Sequence, residues 1–190
     1  MGGTAGKRRL IVGISGASGV TYGVTLLRML RSWKVETHLV MSRSAQVTLA
    51  HETDLKVADV TALADFTYPN EDIGAAISSG SFHTHGMVVA PCSIRTLSEI
   101  ASGITSSLLS RAADVVLKER RKLVLMVRET PLHLGHIRSM AAATEIGAVV
   151  MPPAPDFTAQ PQNLDEMVEN SLRQVLDMVA LSNPVENRPS

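Results

Sequence analysis

Apolar and polar positions along this chain fall into blocks whose period changes in a regular order. Leu10, Ile11, Val12, Gly13 and Ile14 form an unbroken apolar run closed by a Gly-rich turn. A run with no polar alternate predicts a strand buried on both faces, as in a parallel sheet covered by helices. Val24, Leu26, Leu27, Leu30 and Trp33 then recur at helical spacing and predict a helix over 20–32. The same reading predicts strands over 35–41, 86–90, 123–127 and 148–151, with the third ending at Pro91. Helices are expected over 44–51, 57–63, 96–102, 108–119, 137–146 and 163–181. Strands alternating with helices in this way predict one α/β domain, a Rossmann-like (flavodoxin-like) doubly wound parallel sheet. Residues 1–8 and 182–190 lack the pattern and are expected to be flexible ends around a domain spanning 9–181.

Composition narrows the function. Of 190 residues, 45% are hydrophobic and 19% charged, which excludes disorder for the body of the chain. Eighteen Lys and Arg cancel eighteen Asp and Glu, leaving no electrostatic footprint for nucleic acid. No apolar stretch reaches the roughly 18 residues of a membrane helix. The single cysteine, Cys92, cannot make an internal disulfide, reads as a buried small hydrophobe, and together with the absence of a signal-peptide pattern leads us to expect a cytoplasmic protein. A mean hydropathy of +0.13 with only one Trp, two Tyr and three Phe points to apolar surface covered by copies of the chain.

Doubly wound sheets bind ligands at the carboxyl ends of their strands. After the first strand comes Ser15-Gly16-Ala17-Ser18-Gly19, opening into a helix; it serves either as an anion cradle at the helix N-terminus or as a tight turn. The second strand ends in Met41-Ser42-Arg43 and the third in Pro91-Cys92-Ser93-Ile94-Arg95-Thr96. Arg43 or Arg95 can neutralise a phosphate, while Ser42 and Ser93 serve equally as helix caps. No acidic residue stands at the second strand tip to hold an adenosine ribose, so the pattern does not favour a nicotinamide dinucleotide. After the fourth strand, Arg128 and Glu129 read as anion binder and proton carrier, or as a structural pair. Lys118, at the end of an apolar helix, reads as a dipole partner. His83, His85, His133 and His136 lack acidic or cysteine companions, are taken as polar loop residues, and leave no metal site assigned.

Taken together, GISGASG, HETD at 51–54, ISSGS at 77–81, PCS followed by TLS, SRAADVVLKERRKLVL at 110–125, RETP at 128–131 and Pro161-Gln162 resemble the UbiX-like flavin prenyltransferases, closest to the branch associated with phenolic acid decarboxylases. The resemblance runs from about Leu10 to Asp177. It implies a dodecamer with FMN held between subunits and transfer of a dimethylallyl group from dimethylallyl monophosphate to reduced FMN. The product, prenylated FMN, would serve a UbiD-like decarboxylase. Carried over by position, Ser18, Arg111, Lys118 and Arg128 would serve the prenyl phosphate. Glu52 and Glu129 would manage protons. Gly16, Ala17, Ser18, Ser42, Arg43, Ser93, Thr96 and Arg128 would contact FMN. The chain departs from the family pattern at Thr158, where relatives carry a Tyr that clamps the phosphate, at Ser106-Ser107, at 136–140, and in the tail. These departures raise a second reading, a noncatalytic carrier of FMN or prenylated FMN.

Overall fold

The computed structural model of the chain describes residues 8–182. Its elements are β1 (Arg9–Ile14), α1 (Thr21–Ser32), β2 (Glu36–Met41), α2 (Arg43–Glu52), α3 (Val57–Thr61), β3 (Phe66–Tyr68), β4 (Gly86–Cys92), α4 (Ile94–Ala101), α5 (Leu108–Lys118), β5 (Lys122–Val127), α6 (Leu134–Glu145), β6 (Val149–Val150) and α7 (Leu164–Met178), with a 3-10 turn over Ala76–Ser78. All strand pairs are parallel, in the order β3-β2-β1-β4-β5-β6. The five strands expected from sequence are present. The sixth, β3, is a short edge strand that pairs only with His38, Leu39 and Val40 of β2. Its exposed Phe66 breaks the apolar pattern that reveals the others.

Side chains of β1 alternate between two cores, which is why the run shows no polar face. Leu10, Val12 and Ile14 join α1 and α7 in one layer, through Leu26, Leu27, Leu30, Leu172 and Leu176. Ile11 points the other way, where Leu97 of α4 and Leu108, Ala112 and Val116 of α5 cover the sheet. Burying an aliphatic side chain of this kind contributes about 1.5 to 3 kcal/mol, and both faces of β1, β4 and β5 are filled in this way.

Helix ends are built alike. At the C-termini of α1, α4, α5, α6 and α7 the residue beyond the cap, Lys34, Gly103, Arg120, Gly147 or Ala180, turns left-handed. Each next amide, of Val35, Ile104, Arg121, Ala148 or Leu181, donates back to a carbonyl five residues earlier. This is the Schellman closure, which satisfies orphan carbonyls. In α1, α5 and α6 it also turns the chain directly into the next strand. At the N-termini, side chains of Ser42, Ser93, Ser107, His133 and Asn163 cap α2, α4, α5, α6 and α7. His133 and His136 are therefore not plain loop residues. The first caps α6, the second lies in its first turn, and their rings stack with centroids 3.5 Å apart. The helix accordingly starts three residues before the expected 137.

The strand tips are tied together in sequence. Ser42 N–H donates to Ile14 O at 2.9 Å, Ser15 N–H to Pro91 O at 3.1 Å, and Arg128 N–H to Cys92 O at 3.1 Å. The third expected strand extends past Pro91 to Cys92, with a register shift between Val89 and Cys92. At the opposite edge, the Arg8 guanidinium donates to Ser182 O at 2.7 Å and to Trp33 O at 3.3 Å, joining two residues expected to be frayed. Residues 1–7 and 183–190 of the expected flexible ends lie outside the described residues.

Gly23 lets α1 lie directly on the sheet. A Cβ there would stand 2.4 Å from Ala90 O and 2.7 Å from Ile14 Cδ1. The first of these is backbone and cannot yield, so Gly23→Ala is expected to cost about 1 to 3 kcal/mol by overpacking. Chemical denaturation of the two proteins measures it.

Candidate active site

A cleft of about 850 Å³ opens at the carboxyl ends of β1, β2 and β4. The strand order reverses between β1 and β4, so their outgoing loops part and leave this crevice. Gly16, Ser42, Arg43, Ser93, Thr96 and Glu129 line it, together with Arg95. Ser44 packs so closely on the first loop that a Cβ at Gly16 would lie 2.3 Å from its Oγ. Ala17 is buried behind that loop, its N–H donating to Ser15 O at 2.9 Å. Ser42 Oγ accepts from Ala45 N–H and Ser93 Oγ from Thr96 N–H, so both serines cap helices and face the cleft at once. Arg95 reaches along its own helix to Glu99 at 3.0 Å. Arg43 carries no such partner among the described ion pairs and lines the cleft directly.

A second group gathers where α1 begins. The Glu52 carboxylate accepts from Gly19 N–H at 2.9 Å and from Val20 N–H at 2.9 Å. The anion expected at this helix N-terminus is thus in part the chain's own. Burial pushes Glu52 up, but the Ser18 hydroxyl, the two amides and the nearby Arg128 outweigh it, and its pKa falls below the ordinary 4.5. Arg128 also acts on Tyr22, whose phenol is raised by burial and lowered less by Arg128 and by a hydrogen bond with Ser171. Ser18, Glu52, Arg128 and Tyr22 therefore form one cluster beside the cleft, joined to it through Gly16 and Glu129. Glu129 Oε1 accepts only from the neighbouring Thr130 N–H, at 3.1 Å, among the described hydrogen bonds.

Two of the expected phosphate contacts do not converge here. Arg111 pairs with Asp114 at 3.0 Å on α5 and is not among the residues lining the cleft. Lys118 closes the same helix at the opposite, amino-terminal end of the strands, beside Gly80 and paired with Glu119 at 3.3 Å. Eleven residues of helix span about 16 Å, which is the order of its separation from the cleft end of α5. Thr158 lies on an exposed loop, its hydroxyl donating to Asp156 rather than toward the cleft. Cys92 is buried and burial pushes its thiol far up, as a small hydrophobe would have it.

Sequence reasoning missed several lining residues. Asn70 and Glu71 follow the unexpected β3, and Asn70 Oδ1 accepts from Leu109 N–H at 3.1 Å, so it both caps α5 and walls the cleft. Ser106, Ser107 and Glu99 complete that wall. Tyr22 carried a readable signal, a lone phenol in the first turn after the Gly-rich loop. Among the described residues no group of three or more His, Cys, Asp or Glu stands ready for a metal ion, and no helix is long and apolar enough to cross a membrane.

The polar strand tips, the one-phosphate loop and the crevice at the switch point fit a flavin mononucleotide, and comparison with known proteins agrees. The Flavoprotein family model matches residues 2–180. The flavin prenyltransferase UbiX of Escherichia coli K12 is 60% identical over 178 residues, covering 93% of this chain and 94% of that protein. A UbiX crystal structure in complex with FMN and dimethylallyl pyrophosphate superposes with a TM-score of 0.91 at 44% identity, covering 97% of this chain and 98% of the other. A dodecameric FMN-dependent UbiX-like decarboxylase from Escherichia coli O157:H7 gives 0.89 at 48% identity, covering 96% and 98%. Across nearly its whole length, then, the chain belongs to the Flavoprotein family and, within it, to the UbiX-like flavin prenyltransferases.

Proposed function

We propose that this protein transfers a dimethylallyl group from dimethylallyl monophosphate to reduced FMN, making prenylated FMN for a UbiD-like decarboxylase in the cytoplasm. The observation that carries the reading is the cleft walled by Glu129 with Arg128 beside it near Glu52 and Tyr22, in a chain 60% identical to a curated flavin prenyltransferase. FMN supplies the nucleophilic ring nitrogen and the adjacent aromatic carbon. The reaction breaks the allylic C–O bond, whose electron pair leaves on phosphate, and forms one C–N and one C–C bond. Nitrogen and aromatic carbon each lose a proton; one goes to the alkene and one is released.

The chain's residues divide that work. Gly16, Ala17, Ser42, Arg43, Ser93 and Thr96 hold the flavin, with backbone close approach at Gly16 and hydroxyl donors at the strand tips. Arg128 and Ser18 hold the donor phosphate, and the Arg128 cation stabilises charge as it develops on the leaving group. Glu52 is ionised and committed to two amides, so protonating it costs those bonds; it orients Ser18 and balances Arg128. Glu129, with one local hydrogen bond, carries the protons. Lys118 comes from a neighbouring copy, because one chain puts it at the wrong end of its own sheet, and Arg111, turned to Asp114 in its own subunit, serves the same neighbouring phosphate. A dodecamer like that of the Escherichia coli relative would bring the two ends together.

Thr158 supports the second reading, a carrier of the flavin, since its hydroxyl is taken up by Asp156 and the family's phenol is absent. Anaerobic incubation with reduced FMN and the donor, monophosphate or pyrophosphate, decides between the two. A transferase yields a flavin heavier by the prenyl unit, while an unchanged flavin mass with both donors favours the carrier.

Arg128→Ala is expected to reduce transfer by about a hundredfold or more with FMN affinity little changed; flavin titration and single-turnover rates measure both. Thr158→Tyr is expected to lower the half-saturating donor concentration by about tenfold, the value of one hydrogen bond to a charged group, read from donor titrations.

Glu52 predicts a pH dependence. Its folded pKa is depressed, so its bonds contribute stability fully above the ordinary 4.5 and lose it as pH falls through the lower folded value. Glu52→Gln should therefore melt below wild type at neutral pH, with the gap closing under pH 4.5.

A further inference from the structure

Helix α5 ends with Lys118 as its last helical residue, Glu119 as cap and Arg120 turned left-handed. Arg121 follows, and its N–H closes the helix onto Val116 O at 2.9 Å. Its side chain has no place in the reading above. It reaches the loop after the 3-10 turn, where Nη1 donates to Phe82 O at 2.6 Å and Nη2 to Gly80 O at 2.9 Å. Two donors on one planar guanidinium fix both the position and the direction of that loop. Its far end is held as well. The Arg9 guanidinium lies 4.9 Å over the Phe82 ring and the buried His38 ring meets it edge-on at 4.7 Å.

The loop so held is the surface on which Lys118 rests. A Cβ at Gly80 would fall 2.4 Å from Glu119 Oε1 and 3.4 Å from Lys118 Nζ, so the Lys118–Glu119 pair, 3.3 Å between its charged atoms, sits over the bare loop backbone with the Glu119 carboxylate nearest to it. A lysine side chain forfeits up to about 2 kcal/mol of rotamer entropy when ordered. Packing against a fixed wall and a fixed carboxylate supplies that order before a ligand arrives.

We infer that Arg121 is a positioning residue for Lys118: by clamping residues 80–82 it builds the wall that aims the ammonium out of this subunit toward a neighbour's donor phosphate. This rests on the reading of Lys118 as a contact to that phosphate. Gly80 belongs to the same device, since a methyl there would displace the Glu119 carboxylate that pairs with Lys118.

The test is steady-state transfer from dimethylallyl monophosphate to reduced FMN by wild type, Arg121→Gln, Gly80→Ala, Lys118→Ala and the Arg121→Gln/Lys118→Ala double variant, with melting temperature and assembly size recorded for each. Arg121→Gln and Gly80→Ala are expected to raise the half-saturating donor concentration by about five- to twentyfold, with flavin affinity, melting and assembly size close to wild type. In the Lys118→Ala background, Arg121→Gln should cost nothing more, the signature of action through that lysine. Gly80→Ala keeps the inference testable if loss of Arg121 unfolds the chain, because the added methyl needs only the end of Glu119 to move. A full additive loss in the double variant overturns the inference and spares the role of Lys118. Unchanged donor saturation in Gly80→Ala, or a fall in all constants along with melting, does the same. Unchanged kinetics in Lys118→Ala overturns the reading of Lys118 itself, and the inference with it.

Discussion

Ser15, almost fully buried at the tip of β1, holds the crevice in shape. Its N–H and its hydroxyl both donate to Pro91 O, at 3.1 and 3.0 Å, and its Oγ accepts from Ser93 N–H at 2.8 Å. A buried hydroxyl is costly unless its bonding is satisfied, and here it is satisfied across the gap between the two strands where the sheet reverses direction. The loop carrying Gly16 and Ser18 and the loop carrying Ser93 and Thr96 are thereby set at a fixed spacing. Everything that meets a ligand at this edge hangs from that junction, through the further ties from Ile14 to Ser42 and from Cys92 to Arg128.

Charge within the cleft is managed locally. Glu52 fills the positive end of α1, Asn70 and Ser107 fill that of α5, and Glu99 neutralises Arg95. These contacts leave Arg43 on the crevice wall and Arg128 beside it without a described ion-pair partner. Among the described residues, the lining offers an anion the Arg43 guanidinium and a set of hydroxyls, and no lysine. Lys118, which the family resemblance assigns to a phosphate, stands at the opposite end of the sheet in this subunit, paired with Glu119.

Most of this fold was legible because parallel strands covered on both faces write themselves as apolar runs, and five of them stand out. The sixth did not, since β3 is three residues long, pairs on one side and leaves Phe66 in solvent. Losing β3 also hid Asn70 and Glu71, whose place at the cleft depends on that strand's direction. The place of Gly16, Ser42, Arg43, Ser93, Thr96 and Glu129 on the cleft wall was readable from their position at the strand tips alone. Glu52 was not, because it lies at the end of α2 and joins the first loop only through long-range bonds to Gly19 and Val20. Seven positions along one helix separate Arg111 from Lys118, and no local pattern tells which edge of an assembly each serves.

The repeated closure of the helices carries a consequence for how this sequence can drift. Three of the five left-handed closing positions hold Lys34, Arg120 and Ala180, where an L-residue gives up about 1 to 2 kcal/mol. Gly103 and Gly147 avoid that strain. Lineages or engineers exploring glycine at 34 and 180 would find a net gain, smaller than the strain relieved because glycine also loosens the unfolded chain. The molecule thus keeps a reserve of stability in its connections, away from the crevice, that can offset destabilising change where new substrate preferences arise.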